Sequence, residues 1–390
     1  MTNYMNKEKN ITLFSILPYR LGGLDMMLPL YLKLKELHPH LKIEIAFNDD
    51  KAYHDHFRDD FLRPEVINGT DKVHNLKPQR GGKVRNRFFS FLNALPLFAH
   101  ILSARNPVLI HHSLEESPFL KLLSKAVRIR KGRIFTHFGS YNINIGVTPP
   151  DRVFGKATDM DAFLYFGASD PAYLQNRQIP KLIQMGYPRL FSSWKEHVLN
   201  KSPELVRGEL KKNNFSSDSR LVTVLLPSTI ESLFSLQELK IWLKSVLRIL
   251  RNELPKDVIF LKPHPLQDIE IVEQVLDEIE DKNVKISFMH AGILAASSQF
   301  VISHHSTTIV DSMGLLIPTI HYQKFTAHWL KRHPDGSFCL KLNPLWARDE
   351  SELRKCIATA LSENYHVPKI EKILGHKEDL SMFFDLNSET

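Results

Sequence analysis

Two short segments combine basic, histidine and hydroxyl side chains directly after apolar runs. The first is Lys262-Pro263-His264-Pro265, which follows the run VIFL. Its prolines fix the turn and lack backbone donors, so Lys262 and His264 are the groups that could bind phosphate oxygens. His264 could also donate a proton near neutral pH. The alternative is a rigid strand-exit loop with a solvated lysine.

The second segment is SHHSTT, residues 303–308, followed by Asp311 about one helical turn later. It stands between the apolar run FVI and a helical pattern. Ser306, Thr307 or Thr308 is expected to cap that helix, and a helix start preceded by hydroxyls favours anions. The Asp311 carboxylate could accept hydroxyls of a ribose. Simple capping, which needs only one of these hydroxyls, is the alternative.

Histidines also follow two runs in the first half of the chain. His137 lies at the end of RIFTHF, close to Gly139, where it could act as a general base. His111 and His112 follow the run PVLI and are rivals for that role. A purely structural histidine is the alternative in each case.

Two glycine-containing turns complete the set of candidates. Arg189, in the sequence Gly-Tyr-Pro-Arg, could pair with a phosphate through two parallel hydrogen bonds, or the turn could simply close the domain. Gly22 and Gly23, after the first strand, would let a substrate approach the backbone closely. The sequence has no GxGxxG, Walker A, HExxH, GxSxG or CxxC pattern, which argues against P-loop kinases, zinc proteases and serine hydrolases.

The elements that must position these residues are short β-branched or aromatic runs that alternate with helical patterns. Strands are predicted at 11–16, 42–47, 107–110, 133–138, 163–166, 181–185, 221–227, 258–263, 284–288, 299–304 and 318–322. Helices are predicted at 24–37, 117–127, 236–254, 268–280, 307–316 and 349–363. This alternation is typical of parallel α/β sheets, in which ligands bind at the carboxyl ends of the strands. We therefore expect two Rossmann-like domains that face a central cleft.

A length of 390 residues also suggests two domains. The predicted division is a first domain at 1–190, a charge-rich linker at 191–220 that contains a helix, a second domain at 221–365 and a tail at 366–390 that packs back on the first domain.

Composition narrows the class of protein and of partner. Apolar residues make up 43% and charged residues 24%, which excludes disordered, collagen-like and disulfide-scaffold chains. The net charge is +8, from 51 basic and 43 acidic residues, and favours anionic partners such as phosphorylated ligands or an acidic membrane face. No nucleic-acid recognition module is visible, so no nucleic-acid partner is expected. Two cysteines give no disulfide framework and fit a reducing compartment.

One segment has the character of a membrane-surface element. The basic run RGGKVRNR at 80–87 leads into the apolar stretch 88–102, and together they could lie on an anionic membrane. The alternative is a solvated basic loop followed by a core helix. The apolar stretch would span about 22 Å as a helix, short of a hydrocarbon core of about 30 Å. With a polar N-terminus, this predicts a cytoplasmic protein, either free or peripheral on the inner face of the plasma membrane.

Taken in order, the motifs resemble those of GT-B-fold transferases of bacterial surface polysaccharides. The resemblance rests on the His137 loop, the GYPR turn, a strand that ends in Pro-Ser-Thr (227–229), KPHP and SHHSTT with its following Asp, and it covers about 133–325. Two groups have similar patterns: the CDP-glycerol glycerophosphotransferases of teichoic acid synthesis, and capsule transferases that use CMP-activated Kdo or sialic acid. The first 50 residues look more like the opening of GT-B glycosyltransferases and of sugar-nucleotide 2-epimerases.

The resemblance implies roles for the candidate residues. His137 and His264 are the expected catalytic residues, as acceptor base and as a contact to the donor phosphate. On the acceptor side we expect Gly22, Gly23 and His112, which makes the first domain the acceptor-binding one. The expected nucleotide- and phosphate-binding residues are Lys262, Ser228, Thr229, His305, Ser306, Thr307, Thr308, Asp311 and Arg189.

The expected function is that of a glycosyltransferase. It would move a sugar from a nucleotide-activated donor, CMP- or CDP-linked before UDP-linked, to a glycan or lipid-linked acceptor of a capsule, lipopolysaccharide or teichoic-acid-like polymer. No cofactor and no metal are expected, because basic groups take the place of an acidic metal clamp. The alternatives are a glycerophosphotransferase that uses CDP-glycerol, a sugar-nucleotide 2-epimerase, and a non-catalytic scaffold of a glycan-assembly complex.

Overall fold

The computed structural model describes most of the chain. The described residues are 11–17, 21–48, 50, 53–54, 59–76, 84–112, 118–137, 159–167, 179–227, 234–264, 267–304, 306–323, 330, 338–378, 380 and 383. They form two compact units. The first contains the residues up to Phe191 and those from Gly375 onward, and the second contains Ser192–Leu374.

The first unit is built on a parallel sheet of seven strands. They are β1 (Thr12–Leu17), β2 (Lys42–Phe47), β3 (Lys72–Asn75), β4 (Pro107–His111), β5 (Arg133–His137), β6 (Ala162–Tyr165) and β7 (Leu182–Gln184). Their order in the sheet is β3-β2-β1-β4-β5-β6-β7. The helices are α1 (Leu21–Leu37), α2 (Leu62–Gly69), α3 (Val84–Ser103) and α4 (Pro118–Ile129), with a 3₁₀-helix at Pro188–Leu190.

The residue pattern explains why these segments take these structures. Every residue of β1 is buried, as expected for a central parallel strand that is covered on both faces. The helix α4 buries Leu120, Leu123 and Val127, which recur at helical spacing on one side of the helix.

The second unit repeats the plan with six parallel strands. They are β8 (Leu221–Leu225), β9 (Val258–Lys262), β10 (Val284–Ile286), β11 (Val301–Ser303), β12 (Thr319–Tyr322) and β13 (Leu345–Ala347). Their order is β10-β9-β8-β11-β12-β13. The helices are α5 (Ser192–Lys212), α6 (Leu236–Glu253), α7 (Ile269–Ile279), α8 (Ala291–Ala296), α9 (Ile309–Gly314), α10 (Phe338–Lys341), α11 (Glu350–Ala360) and α12 (Ile370–Leu374).

The helix α6 shows how local sequence and core packing agree. Ser235 and Glu238 form a capping box at its start, which satisfies backbone N–H groups that have no partner inside the helix. One face of the helix then contributes seven buried side chains to the core of the unit: Leu239, Trp242, Leu243, Val246, Leu247, Ile249 and Leu250.

Two Rossmann-like domains with parallel sheets are therefore confirmed as the fold class. The edge strands β3 and β13 were not predicted, because they are short and their outward residues are polar or exposed. The segment predicted as a linker holds the helix α5, which belongs to the second unit. The tail residues from Gly375 group with the first unit. The central cleft stays a prediction.

Among the described residues, none of the helices combines the length and the apolar character that crossing a membrane requires.

Candidate functional site

The described residues of KPHP and SHHSTT lie at one edge of the second sheet. Leu225 of β8 pairs with Lys262 of β9 on one side and with Ser303 of β11 on the other. The three residues end neighbouring parallel strands, so the loops that follow leave the same edge. The strand order reverses between β8 and β11, and this switch point is where open α/β sheets bind ligands. Ser228 and Thr229, predicted to follow β8, lie outside the described residues.

The Lys262 side chain is held at this edge by a backbone contact. Its Nζ donates to the carbonyl oxygen of Phe288 at 2.9 Å. His264 is half-buried in the loop, and its carbonyl accepts from the Gln267 N–H at 2.8 Å. The strand and this turn thus fix a cation and an imidazole two residues apart at the carboxyl edge.

The hydroxyl cluster after β11 is arranged differently from the predicted helix cap. Thr308 directly precedes α9 but makes no side-chain capping bond. Instead the Ser306 hydroxyl accepts from the Thr308 N–H at 3.3 Å and donates to the Thr308 hydroxyl oxygen at 3.0 Å. The predicted helix at 307–316 is correspondingly shorter, because its first residues form this turn. Asp311 is buried in the first turn of α9, and His305 lies outside the described residues.

A buried histidine at the same edge was missed as a functional candidate. The His304 ring lies against Phe234, with ring centroids 4.2 Å apart, and meets Trp242 edge-on at 5.7 Å. Trp242 is itself fixed, because its Nε1 donates to the Tyr322 carbonyl at 2.9 Å. The signal was present in the SHHSTT motif, but the aromatic neighbours come from positions far away in the sequence.

At the carboxyl edge of the first sheet, two of the predicted histidines are brought together. His111 pairs with Thr136 across β4 and β5, so His112 falls beside His137 one residue later. Paired residues of parallel strands point to the same face, and successive residues alternate between faces. His112 and His137 therefore share one face. His111 takes the other, where its Nε2 lies 3.2 Å from the Thr136 hydroxyl.

The two histidines of this pair differ in exposure, because His137 is buried and His112 is half-buried. His137 is completely buried, and its ring centroid lies 6.5 Å from that of Phe166. Burial lowers the pKa of His112, and a hydrogen bond with the Ile16 backbone opposes this only in part. The His112 ring is therefore neutral at neutral pH, the state in which an imidazole can accept a proton.

Arg189 and the glycine pair are also brought close to one another. Gly22 and Gly23 occupy the first turn of α1, which packs against the 3₁₀-helix that carries Arg189. The Arg189 guanidinium pairs with Asp25 of α1, with Nη1 and Oδ2 3.1 Å apart, and both side chains are largely buried. Asp25, which was not predicted, thus orients the arginine that sequence reasoning assigned to a phosphate.

A third cluster joins Glu44 of β2, His74 of β3 and His100 of α3. His74 Nε2 lies 2.7 Å from Glu44 Oε2, and His100 Nδ1 lies 2.9 Å from both carboxylate oxygens. Burial acts to raise the pKa of Glu44, but the hydrogen bonds with the two histidines outweigh it and hold this pKa below its ordinary value. The residues are 30 and 56 positions from Glu44, so no sequence motif marks them.

Comparisons with known proteins agree on the fold. No protein-family model matches the sequence, and no curated protein matches it. Among solved structures, the chain is similar to UDP-GlcNAc 2-epimerase from Neisseria meningitidis bound to UDP-GlcNAc. That pair has 13% identity and a TM-score of 0.58, over 94% of this chain and 95% of the other.

Two further structures give similar values. UDP-GlcNAc 2-epimerase from Methanocaldococcus jannaschii, in complex with UDP-GlcNAc and UDP, has 12% identity and a TM-score of 0.54, over 92% and 95% of the two chains. A glycosyltransferase from Rickettsia africae has 14% identity and a TM-score of 0.52, over 94% and 93%. At these identities the likeness defines the fold: this chain has structural neighbours of the GT-B type.

Proposed function

We propose that the chain binds a nucleotide-activated sugar at the carboxyl edge of its second sheet and transfers the sugar to an acceptor glycan. The observation that carries this proposal is the alignment of Lys262 and Ser303 on strands that flank β8. It directs the KPHP loop and the hydroxyl cluster to the topological switch point of a Rossmann-like sheet. Structural neighbours of the same fold are described with UDP-GlcNAc or UDP bound, which supports a nucleotide-sugar ligand.

The chemistry of this edge suits a leaving nucleotide. As the bond from sugar to phosphate breaks, negative charge develops on the phosphate oxygens. A fixed cation and hydrogen-bond donors near that position stabilise the transition state more than the ground state. Lys262 supplies the positive charge. His264 supplies a hydrogen-bond donor that could also protonate the phosphate. The Thr307 hydroxyl supplies a further donor, and the Ser306 hydroxyl supplies another when it turns from Thr308 to the phosphate. Asp311 is proposed to accept ribose hydroxyls.

His137 is the proposed base for the acceptor hydroxyl, with His112 beside it on the same face. The nitrogen of a histidine base must come within about 2.6–3.2 Å of the hydroxyl oxygen whose proton it removes. Because His137 is completely buried, the proposal requires that the acceptor reach the end of β5. A His137→Gln variant should keep nucleotide binding and lose transfer by at least about 100-fold.

The donor site is tested by a thermal-shift series with CMP, CDP, UDP, GDP and ADP. A nucleotide at 100 times its Kd stabilises the native state by about 2.7 kcal/mol, which corresponds to a Tm increase of roughly 5–11 °C in a unit of this size. We expect one nucleotide to produce this shift, and we expect CMP or CDP to exceed UDP.

Variants test whether the nucleotide binds at the carboxyl edge of the second sheet. Lys262→Ala and His264→Ala should each weaken the Kd at least about tenfold, or 1.4 kcal/mol. Lys285→Ala is the matched control: it removes the same charge from the neighbouring strand β10, where Lys285 pairs with Phe260, two residues before the edge. Absence of a shift with any nucleotide, or equal losses in Lys262→Ala and Lys285→Ala, would contradict the donor site.

A sugar-nucleotide 2-epimerase is the second candidate, because two of the similar structures are UDP-GlcNAc 2-epimerases. The two functions give different products. An epimerase converts UDP-GlcNAc to its C2 epimer without an acceptor, whereas a transferase releases free nucleotide only when an acceptor is present. Proton NMR of the reaction mixture distinguishes them. A CDP-glycerol glycerophosphotransferase would release CMP from CDP-glycerol, and a scaffold would do none of these.

The proposed acceptor is a capsule, lipopolysaccharide or teichoic-acid-like glycan, and the proposed location is the inner face of the membrane. Leu92, Leu95 and Leu102 of α3 are each about 40% exposed, which supports contact of this helix with a lipid surface. The residues 80–83 and the side chains of 84–91 lie outside the described part. Sedimentation with anionic vesicles at low salt tests the proposal, and no binding there would refute it.

A further inference from the structure

The cluster of Glu44, His74 and His100 has the composition of a metal site. Two imidazoles and one carboxylate form a ligand set typical of Zn²⁺ and other divalent first-row metals. One ligand atom from each residue lies within 4.8 Å of the others. All three belong to the first unit, and Glu44 lies three residues before the carboxyl end of β2, away from the strand ends discussed above.

The backbone holds these side chains on one face of the sheet. Glu44 pairs with Lys72 and Ala46 pairs with His74, so Glu44 and His74 point to the same side of β2 and β3. His100 reaches the carboxylate from the last turn of α3. Glu44 and His74 are buried and His100 is about one-third exposed, which leaves one side of the cluster open to water.

The two distances between Glu44 and the imidazoles are close to those of a tetrahedral site. Metal bonds of about 2.0–2.1 Å place neighbouring ligand atoms about 3.3 Å apart. The present separations are 2.7 Å for His74 and 2.9 Å for His100, each measured to a Glu44 oxygen. A metal ion therefore requires each imidazole nitrogen to move away from the Glu44 oxygen by roughly 0.5 Å, which rotamer adjustments can supply. Water would complete the coordination on the open side.

Lys72 is a neighbouring group that bears on this geometry. Its Nζ lies 3.0 Å from His100 Nε2, the ring nitrogen that does not face the carboxylate. When Nδ1 coordinates a metal, the ring proton moves to Nε2, which then has no lone pair for Lys72. The Lys72 side chain is exposed and can turn into solvent.

We propose that Glu44, His74 and His100 bind one divalent transition-metal ion, with Zn²⁺ as the favoured ion and water as the fourth ligand. The ion would cross-link the edge strand β3 and the C-terminal end of α3 to β2. This site is separate from the proposed donor site and does not depend on it.

The proposal is tested on the full chain after EDTA treatment and removal of the chelator. Isothermal titration with Zn²⁺ should show one ion per chain that His100→Ala weakens by at least about tenfold. Titration with Co²⁺ should give the visible bands of tetrahedral cobalt, again lost in His100→Ala. His74→Ala and Glu44→Gln should weaken Zn²⁺ binding in the same way. Because the His100 side chain is partly exposed, His100→Ala keeps the test valid if a variant of a buried residue fails to fold.

Two control variants test whether Zn²⁺ binds at this site. One replaces another histidine of the chain, and the other replaces a neighbour that is not a ligand. His40→Ala removes an exposed histidine from the same unit and should leave the Zn²⁺ affinity unchanged. Lys72→Gln removes a neighbour but no ligand, so it must not weaken binding. If wild type binds no Zn²⁺, if folded His100→Ala binds it as wild type does, or if Lys72→Gln loses it, the proposal is wrong.

Discussion

Replacement of Gly186 by alanine is expected to detach the C-terminal segment from the first unit. Gly186 precedes the Tyr-Pro-Arg turn and has a φ of +81°, which costs an alanine roughly 1–2 kcal/mol. A Cβ built at this position would lie 2.0 Å from the Lys377 carbonyl oxygen, closer than any real contact. Because that oxygen belongs to the backbone, the segment around Lys377 must move.

The movement breaks two hydrogen bonds between the turn and the segment. The Tyr187 N–H donates to His376 Nδ1 at 3.0 Å, and Gln184 Nε2 donates to the Gly375 carbonyl. Each is worth about 0.5–1.5 kcal/mol, so with the backbone strain the expected loss is roughly 2–5 kcal/mol. A loss of 2 kcal/mol raises the population of the opened segment by about 30-fold.

Hydrogen exchange measured by mass spectrometry detects the opening of this segment peptide by peptide. Peptides that contain Tyr187 and those that span 375–378 should exchange at least about 30-fold faster in Gly186→Ala. Urea unfolding must be followed by far-UV circular dichroism, because all four tryptophans lie between residues 192 and 374 and so report the second unit.

Gly208→Ala is the matched control, since it adds the same methyl group within the helix α5. Nothing lies within 4 Å of the added Cβ, so helix propensity should stabilise this variant by about 0.5–1 kcal/mol. If Gly186→Ala exchanged at the wild-type rate and unfolded at the same urea concentration, the argument from φ and close contact would be refuted.

Three further predictions concern stability and reactivity. Gly132→Ala should destabilise the first unit by more than about 2 kcal/mol in urea unfolding, because its Cβ would lie 2.2 Å from the Pro107 carbonyl oxygen; a smaller loss would show that β4 shifts easily. Ser235→Ala should cost about 1 kcal/mol by removing the capping box with Glu238, and an unchanged unfolding midpoint would count against that cap. Burial raises the pKa of Cys356 to about 11, so about one thiol in a thousand is ionised at pH 8, and its alkylation, followed by mass spectrometry, should accelerate about tenfold per pH unit up to that pKa. A rate that levels off near pH 9 would contradict this pKa.

The sequence by itself determined the fold class and the positions of the KPHP and SHHSTT motifs after strands. Short β-branched, mostly apolar runs such as 221–225 are typical of parallel strands covered on both faces, and amphipathic segments such as α6 supply the cover. Once strands and helices alternate, the residues that end each strand must gather at one edge. For this reason KPHP and SHHSTT could be predicted from the sequence to lie at one edge of a sheet.

Only the tertiary structure decided which side chains meet one another. The pairing of Arg189 with Asp25 and of Glu44 with His74 joins residues from different elements, and strand register, which sequence periodicity does not specify, sets the second pair. The same holds for His112 and His137, which share a face because β4 and β5 pair in one register and not in another. Local patterns report which face of its own element a residue occupies, whereas contacts between elements depend on packing that many distant residues determine together.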